Sequence, residues 1–180
     1  SASARLKPRH SENSVIPAGP ESCVIILTDL RDGLPRLSAR LMAAASMVTI
    51  GDIAADIGCD HGYIPIWLYK KGISPHCIAT DINEGPIRTA RENIKLYGAE
   101  EGVETRLGSG LDTIEPYEAD TLIITGMGGR TIVDILNAHW EIASEAKLIL
   151  SPQSEAGTVR RFLSEKQCFI ESEKFVKEDG

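Results

Sequence analysis

The stretch Asp56-Ile57-Gly58-Cys59-Asp60-His61-Gly62-Tyr63 decides the fold of this chain. A short apolar segment, Ile53-Ala54-Ala55, leads into it, and Ile64-Pro65-Ile66-Trp67-Leu68, which reads as a helix, follows it. An acidic residue at a strand end, a glycine turn and then a helix are how a Rossmann-like sheet holds a nucleotide-like cofactor. Glycine lets the backbone turn sharply and approach a ligand. Exposed amides at a helix start can bind a carboxylate. Asp56 can accept a hydrogen bond from an ammonium group. A carboxylate and an ammonium together describe the amino-acid end of S-adenosyl-L-methionine.

Outward from this turn the chain alternates. Strands are predicted at 54–57, 77–81, 103–107, 121–125 and 147–151, with helices at 64–71, 84–97, 130–140 and 155–166. Pro86 in the first turn and Gly98 past the end mark the 84–97 helix. Strands alternating with helices imply an α/β fold, a mostly parallel sheet with helices on both faces. Before the sheet, Leu37, Leu41, Ala44, Ala45 and Val48 repeat at helical spacing, with Ser38 as a candidate cap. Phe169-Ile170-Glu171 and Phe175-Val176 read as one more strand, and Asp179-Gly180 as a hairpin turn. The sequence is thus expected to stop inside a closing C-terminal hairpin. Residues 1–35 are expected to be a separate arm, partly disordered or vector-derived: Ser, Pro and charge dominate, Val24-Ile25-Ile26-Leu27 is an apolar island, and Asp32-Gly33 is a turn signal.

Each predicted strand end carries its own signal. Asp81, about 20 residues past the glycine turn, can accept hydrogen bonds from both ribose hydroxyls; the alternative is a cap for the helix at Glu84. Gly108-Ser109-Gly110 can let an adenine ring lie against the chain, or form an ordinary loop. Thr125-Gly126-Met127-Gly128-Gly129 argues for close backbone approach to a ligand, against a flexible turn. Met127 suits the core as well as an adenine contact. Gln153, after Pro152, can bond a base or lie in solvent. Asp60 needs a compensating partner near a methyl-transfer centre, which favours a functional role; His61 can contact substrate or cap the next helix.

The composition sets limits. A net charge of −7 gives no global reason to bind nucleic acid, so such a substrate needs a local basic face. Cys23, Cys59, Cys77 and Cys168 form no C-x-x-C pair, which points to a reduced, cytoplasmic setting and no metal site. No apolar run approaches a membrane span, and the polar start does not resemble a secretory signal. The G-x-G-x-x-G dinucleotide pattern and the P-loop are absent. So is the N-P-P-[Y/F] run of amino-directed methyltransferases, which argues against methylation of an exocyclic amine.

Taken together, Leu37-Ser38-Ala39-Arg40-Leu41, Ala55 to Pro65, Asn83-Glu84-Gly85-Pro86 and Gly126-Met127-Gly128-Gly129 resemble the bacterial tRNA (adenine-N1)-methyltransferases that act at tRNA position 22. The likeness spans residues 36–180. It implies a class I methyltransferase fold, S-adenosyl-L-methionine as donor and tRNA as partner. It departs from the family at Ser109, usually acidic, and at Ser154, often Asn. The family's C-terminal coiled-coil domain is expected to be absent.

The predicted cofactor site is therefore Asp56, Gly58, Cys59, Asp60, His61 and Tyr63, with Asp81, Ile82, Asn83, Ser109, Gly110, Gly126, Met127 and Gly128. Arg36, Arg40, Gly129, Pro152 and Gln153 form the predicted acceptor side, and Asp60 is the catalytic candidate. Arg130, Arg160 and Arg161 join Arg36 and Arg40 as candidate phosphate contacts, each equally readable as a solvated arginine. Two alternatives remain open: a methyltransferase for a small molecule or protein, and a non-catalytic domain that binds the same cofactor.

Overall fold

The computed structural model describes residues 33–177. The arm through Asp32, with its apolar island, and the Asp179-Gly180 turn lie outside the described residues. Within them the order is α1 (Ala39–Ala45), β1 (Ala54–Ile57), α2 (Tyr63–Lys70), β2 (Cys77–Asp81), α3 (Glu84–Leu96), β3 (Val103–Leu107), β4 (Thr121–Thr125), α4 (Gly129–Ala138), α5 (Trp140–Ala143), β5 (Lys147–Ser151) and α6 (Ala156–Glu165). The five strands form one parallel sheet in the order β3-β2-β1-β4-β5. The chain reverses direction across the sheet between β1 and β4, and open α/β sheets form their binding crevice at such a switch point, beyond the strand ends.

Alternation along the strands builds two cores. Ala54, Cys77, Ala79 and Ile123 face α1, α2 and α3, packing against Ala45, Ile66, Leu68 and Ala90. Ala55, Ile57, Ile78, Leu122 and Ile124 face the other way, against Ile132 and Leu136 of α4 and Phe162 of α6. Strands buried on both faces read as continuous apolar runs, which is why β1, β2 and β4 were legible in sequence.

Local chemistry sets the helix ends. Ser38 Oγ accepts from the Leu41 amide at 3.4 Å and caps α1. Gly98, at φ +60°, ends α3: its amide donates to Lys95 O at 3.2 Å, and that of Ala99 to Ile94 O at 2.9 Å. This pair of bonds satisfies carbonyls that the helix leaves open.

Two expectations are corrected. The helix expected over 130–140 is two helices, broken at His139, whose backbone leaves the helical region at φ −134°, ψ 54°. Trp140 then packs edge-on against Phe162, with ring centroids 5.4 Å apart. The strand expected from Phe169 to Val176 is absent: residues 168–177 join no ladder, and Phe169 and Phe175 are almost fully exposed. β-propensity reports fit to a pleated neighbour, and without hydrogen bonds to β5 it makes no strand. At the opposite edge, Arg106 on β3 pairs with Glu104 and Glu118 and donates to Thr113 O at 2.6 Å, tying the chain after β3 to the sheet.

Candidate active site

At the switch point the turn after β1 is pinned from beneath. The amides of Gly58 and Cys59 both donate to Thr80 O at 2.8 Å, and that of Gly62 to Cys59 O at 2.8 Å. Gly58 sits at φ +76°, and an added Cβ would overlap the Met127 methyl. Gly62, at φ +70°, would place a Cβ 3.1 Å from Ala90 Cβ. Neither position admits a side chain without displacing a neighbour. Gly62 starts α2 without a side-chain cap.

The turn borders a cavity of about 530 Å³, a size usual for small-molecule sites. Asp56, Gly58, Cys59, Asp60, His61, Tyr63, Asp81, Ile82, Asn83, Ser109, Gly110, Gly126 and Met127 all line it, as do Arg40 and Gln153. The sequence had marked all of these.

Asp56 is the most consequential. It is 4% exposed, and its carboxylate accepts no hydrogen bond from the described residues. Burial, then the charges of Asp81 and Asp60, push its pKa up to about 7. A buried acid in this state is stabilised in its charged form by a cation placed beside it. Asp81, at the end of β2, accepts from the Asn83 amide at 2.9 Å through Oδ1. Asn83, not Asp81, is the N-cap residue of α3, so the capping alternative for Asp81 does not hold. Thr80 Oγ1 is buried on the cavity wall without a hydrogen-bond partner among the described residues. Burial and the charges of Asp56 and Asp81 raise the Cys59 thiol, which stays protonated.

Asp60 and His61 stand at the mouth, with Asp60 Oδ2 3.4 Å from His61 Nε2 and their side chains 71% and 50% exposed. Across the cavity Gly110, at φ +54°, packs against Ile135. Asp112 then binds His139 Nε2 at 2.8 Å, and Glu141 faces the other ring nitrogen at 3.4 Å. These two carboxylates raise the His139 pKa against partial burial.

Other predicted residues lie elsewhere. Gly128 and Gly129 do not line the cavity. Gly128 bridges to Ser154, the Gly129 amide donates to Ser154 O at 2.9 Å, and the Gln153 amide donates to Met127 O at 2.9 Å. A Cβ on Gly129 would sit 2.9 Å from Ser154 O and closer still to Glu155 O. These glycines therefore let two loops approach each other. Pro152 faces a second groove beside β5. Arg36 is exposed and away from the cavity. Arg130 and Arg160 pair with Glu155 (3.5 Å) and Glu173 (2.8 Å). Sequence reasoning missed Leu41, Thr80, Thr131 and Ile135 on the wall. The signal for the last two was present: they are four apart on the helix that follows the Gly126 turn.

Residues 37–180 match the family model described as "Methyltransferase domain". The chain belongs to that family. Its relatives agree with the motif resemblance. It is 34% identical over 146 residues to the tRNA (adenine(22)-N(1))-methyltransferase of Bacillus subtilis, covering 81% of this chain and 61% of that protein. The crystal structure of that B. subtilis enzyme, TrmK, superposes with a TM-score of 0.77 over 81% of this chain and 62% of its own. Streptococcus pneumoniae Sp1610, solved in complex with S-adenosyl-L-methionine, gives 0.78 at 34% identity, covering 81% and 69%. M. capricolum TrmK, solved with S-adenosyl-homocysteine, gives 0.73 at 29% identity, covering 79% and 64%. The chain spans about three-fifths of the length of the curated relatives it matches. The fold is the Rossmann-like methyltransferase fold, as expected. Among the described residues no helix is long and apolar enough to cross a membrane, and no His/Cys/Asp/Glu group could hold a metal ion.

Proposed function

We propose that residues 36–180 form the catalytic domain of a cytoplasmic methyltransferase that uses S-adenosyl-L-methionine to methylate N1 of the adenine at position 22 of tRNA. One observation carries the cofactor assignment: the buried Asp56 carboxylate opens on the cavity with no donor among the described residues. The ammonium of an amino-acid moiety supplies the missing cation. The free face of Asp81 suits ribose hydroxyls, Thr80 Oγ1 is an unused polar group beside it, and Gly108 to Gly110 leave room for a flat ring. The acceptor assignment is supported by similarity to the tRNA methyltransferases, two of whose structural relatives hold this cofactor or its product.

The bound cofactor supplies an electrophilic methyl group on a sulfonium. Adenine N1 carries a free lone pair, so no side chain has to remove a proton before attack. The protein's work is positioning, together with stabilising the positive charge that methylation creates on the base. Asp60 is the proposed carboxylate for that charge or the N6 amino group; its exposure on the cavity lining supports the role. An N1 edge buried in a base pair first has to be splayed out.

The deciding experiment incubates the protein with S-adenosyl-L-methionine and an unmodified tRNA transcript, then digests the RNA and identifies nucleosides by mass spectrometry. N1-methyladenosine at one site is the expected product. Transfer only to a protein or a small molecule would overturn the tRNA assignment, and cofactor binding without transfer to any acceptor would favour a non-catalytic domain. Asp60→Ala is expected to slow transfer with cofactor affinity retained.

A further inference from the structure

The cavity offers an incoming base a single aromatic surface. Among the described residues that line it, only His61 and Tyr63 carry rings. Their centroids lie 5.4 Å apart with planes inclined by 36°. The turn after β4, Thr125 to Gly129, contributes no ring. The His61 side chain is half exposed, and its backbone is tied down: its carbonyl accepts from Nδ2 of Asn93 on α3 at 2.9 Å. The residue before it, Asp60, sits at φ +50°, a left-handed conformation that is costly for a non-glycine residue and that clusters at functional sites. The turn thus keeps an imidazole and a carboxylate side by side at the mouth, 3.4 Å apart.

We propose that His61, backed by Tyr63, is the platform on which the acceptor base stacks, with the base edge turned toward Asp60. This rests on the tRNA reading above and moves His61 from the cofactor side of the site to the acceptor side. A splayed-out base loses its neighbours in the stack, and a ring face at the enzyme surface restores part of that energy. The methylated base is a cation, and a phenol ring such as that of Tyr63 attracts cations to its face. No other ring in the cavity wall can do either.

The test compares wild type with His61→Ala and His61→Phe. Transfer is measured with saturating S-adenosyl-L-methionine and an unmodified tRNA transcript. Cofactor affinity is measured by calorimetry on the same preparations, which also reports the folded fraction. His61→Ala is expected to lose roughly tenfold in kcat/KM for tRNA, the scale of one lost base–aromatic stack, while His61→Phe stays within about threefold of wild type. Cofactor affinity is expected to be the same in all three. A transcript with 2-aminopurine at the acceptor position should be quenched on binding wild type and His61→Phe but not His61→Ala. The platform is overturned by full turnover in His61→Ala, by failure of His61→Phe to rescue, or by a matching loss of cofactor affinity, which would return the ring to the cofactor. Wild type that binds cofactor but methylates no tRNA would overturn the acceptor reading and the platform together; the alanine result alone touches only the platform.

Discussion

Two glycine clusters sit at the same edge of the sheet and do different work. After β1, Gly58 and Gly62 hold the backbone in left-handed turns so that Asp56, Asp60 and the Met127 methyl can share one cavity wall. After β4 and α4's start, Gly128 and Gly129 meet the backbone of Ser154 and Glu155 and join two loops beyond the strand ends. In sequence both clusters read as close approach to a ligand. The first borders the cavity; in the second only Gly126 lines it, while Gly128 and Gly129 approach protein. A glycine cluster announces proximity without saying to what, and a neighbouring buried acidic residue with no donor among the described residues is what separated the cases.

Variants sharpen that contrast. The largest effect is expected at the first cluster's carboxylate. Asp56→Asn should weaken S-adenosyl-L-methionine binding by at least about 100-fold in calorimetry, since it leaves the ammonium without its counter-charge. It should also stabilise the unliganded protein, by on the order of 2 kcal/mol at pH 8 in chemical denaturation. The sign follows from the raised pKa: the penalty for ionising Asp56 is absent below about 3.8, grows with pH, and is complete above about 7. Equal stability of the two proteins at pH 8 would mean that Asp56 already has a partner. Wild-type cofactor affinity should correspondingly fall below pH 7, with proton release detectable by titration in buffers of different ionisation enthalpy.

Gly58→Ala and Gly129→Ala then set the clusters against each other. Gly58→Ala adds a Cβ at positive φ against Met127 and should weaken cofactor binding by roughly tenfold, at about 1 kcal/mol in stability. Gly129→Ala should reverse the balance, losing about 2 kcal/mol of stability by overpacking while cofactor affinity stays within about threefold. If Gly129→Ala lost affinity as steeply as Gly58→Ala, the functional difference between the two clusters would collapse. The smallest effect is expected at His139→Gln, which loosens the tie between α5 and Asp112. Its folded pKa lies above the ordinary 6.5, so the pair's stabilisation is full below that value and is lost as pH rises through the folded value. Partial exposure limits it to less than about 0.5 kcal/mol, read as a pH-dependent gap in melting temperature.

Why some features were legible follows from where their causes lie. The central strands β1, β2 and β4 were visible because burial on both faces demands apolar runs, and Asp56 and Asp81 because a charge at the end of such a run is anomalous. Gly98 was visible because a helix stop is a local matter. The break at His139 was not: no glycine or proline marks it, and the packing of Trp140 on Phe162 involves residues 22 positions apart. The expected strand from Phe169 failed for the complementary reason, since alternation along a segment says nothing about whether a neighbour pairs with it. Leu41 and Ile135 were missed as cavity residues because each looks like core in its own helix.

The ion cluster on β3 has a consequence for how this molecule behaves among its copies. A sheet of five strands has two outer edges, and each outer strand offers unpaired amides and carbonyls to any passing chain. On β3 the side chains along that edge include Glu104 and Arg106, engaged with each other and with Glu118. A strand from another molecule would have to strip water and counter-charge from this group before it could pair. The same arginine that fastens the chain after β3 thus puts charge on an outer strand of the sheet, a character that disfavours edge-to-edge pairing.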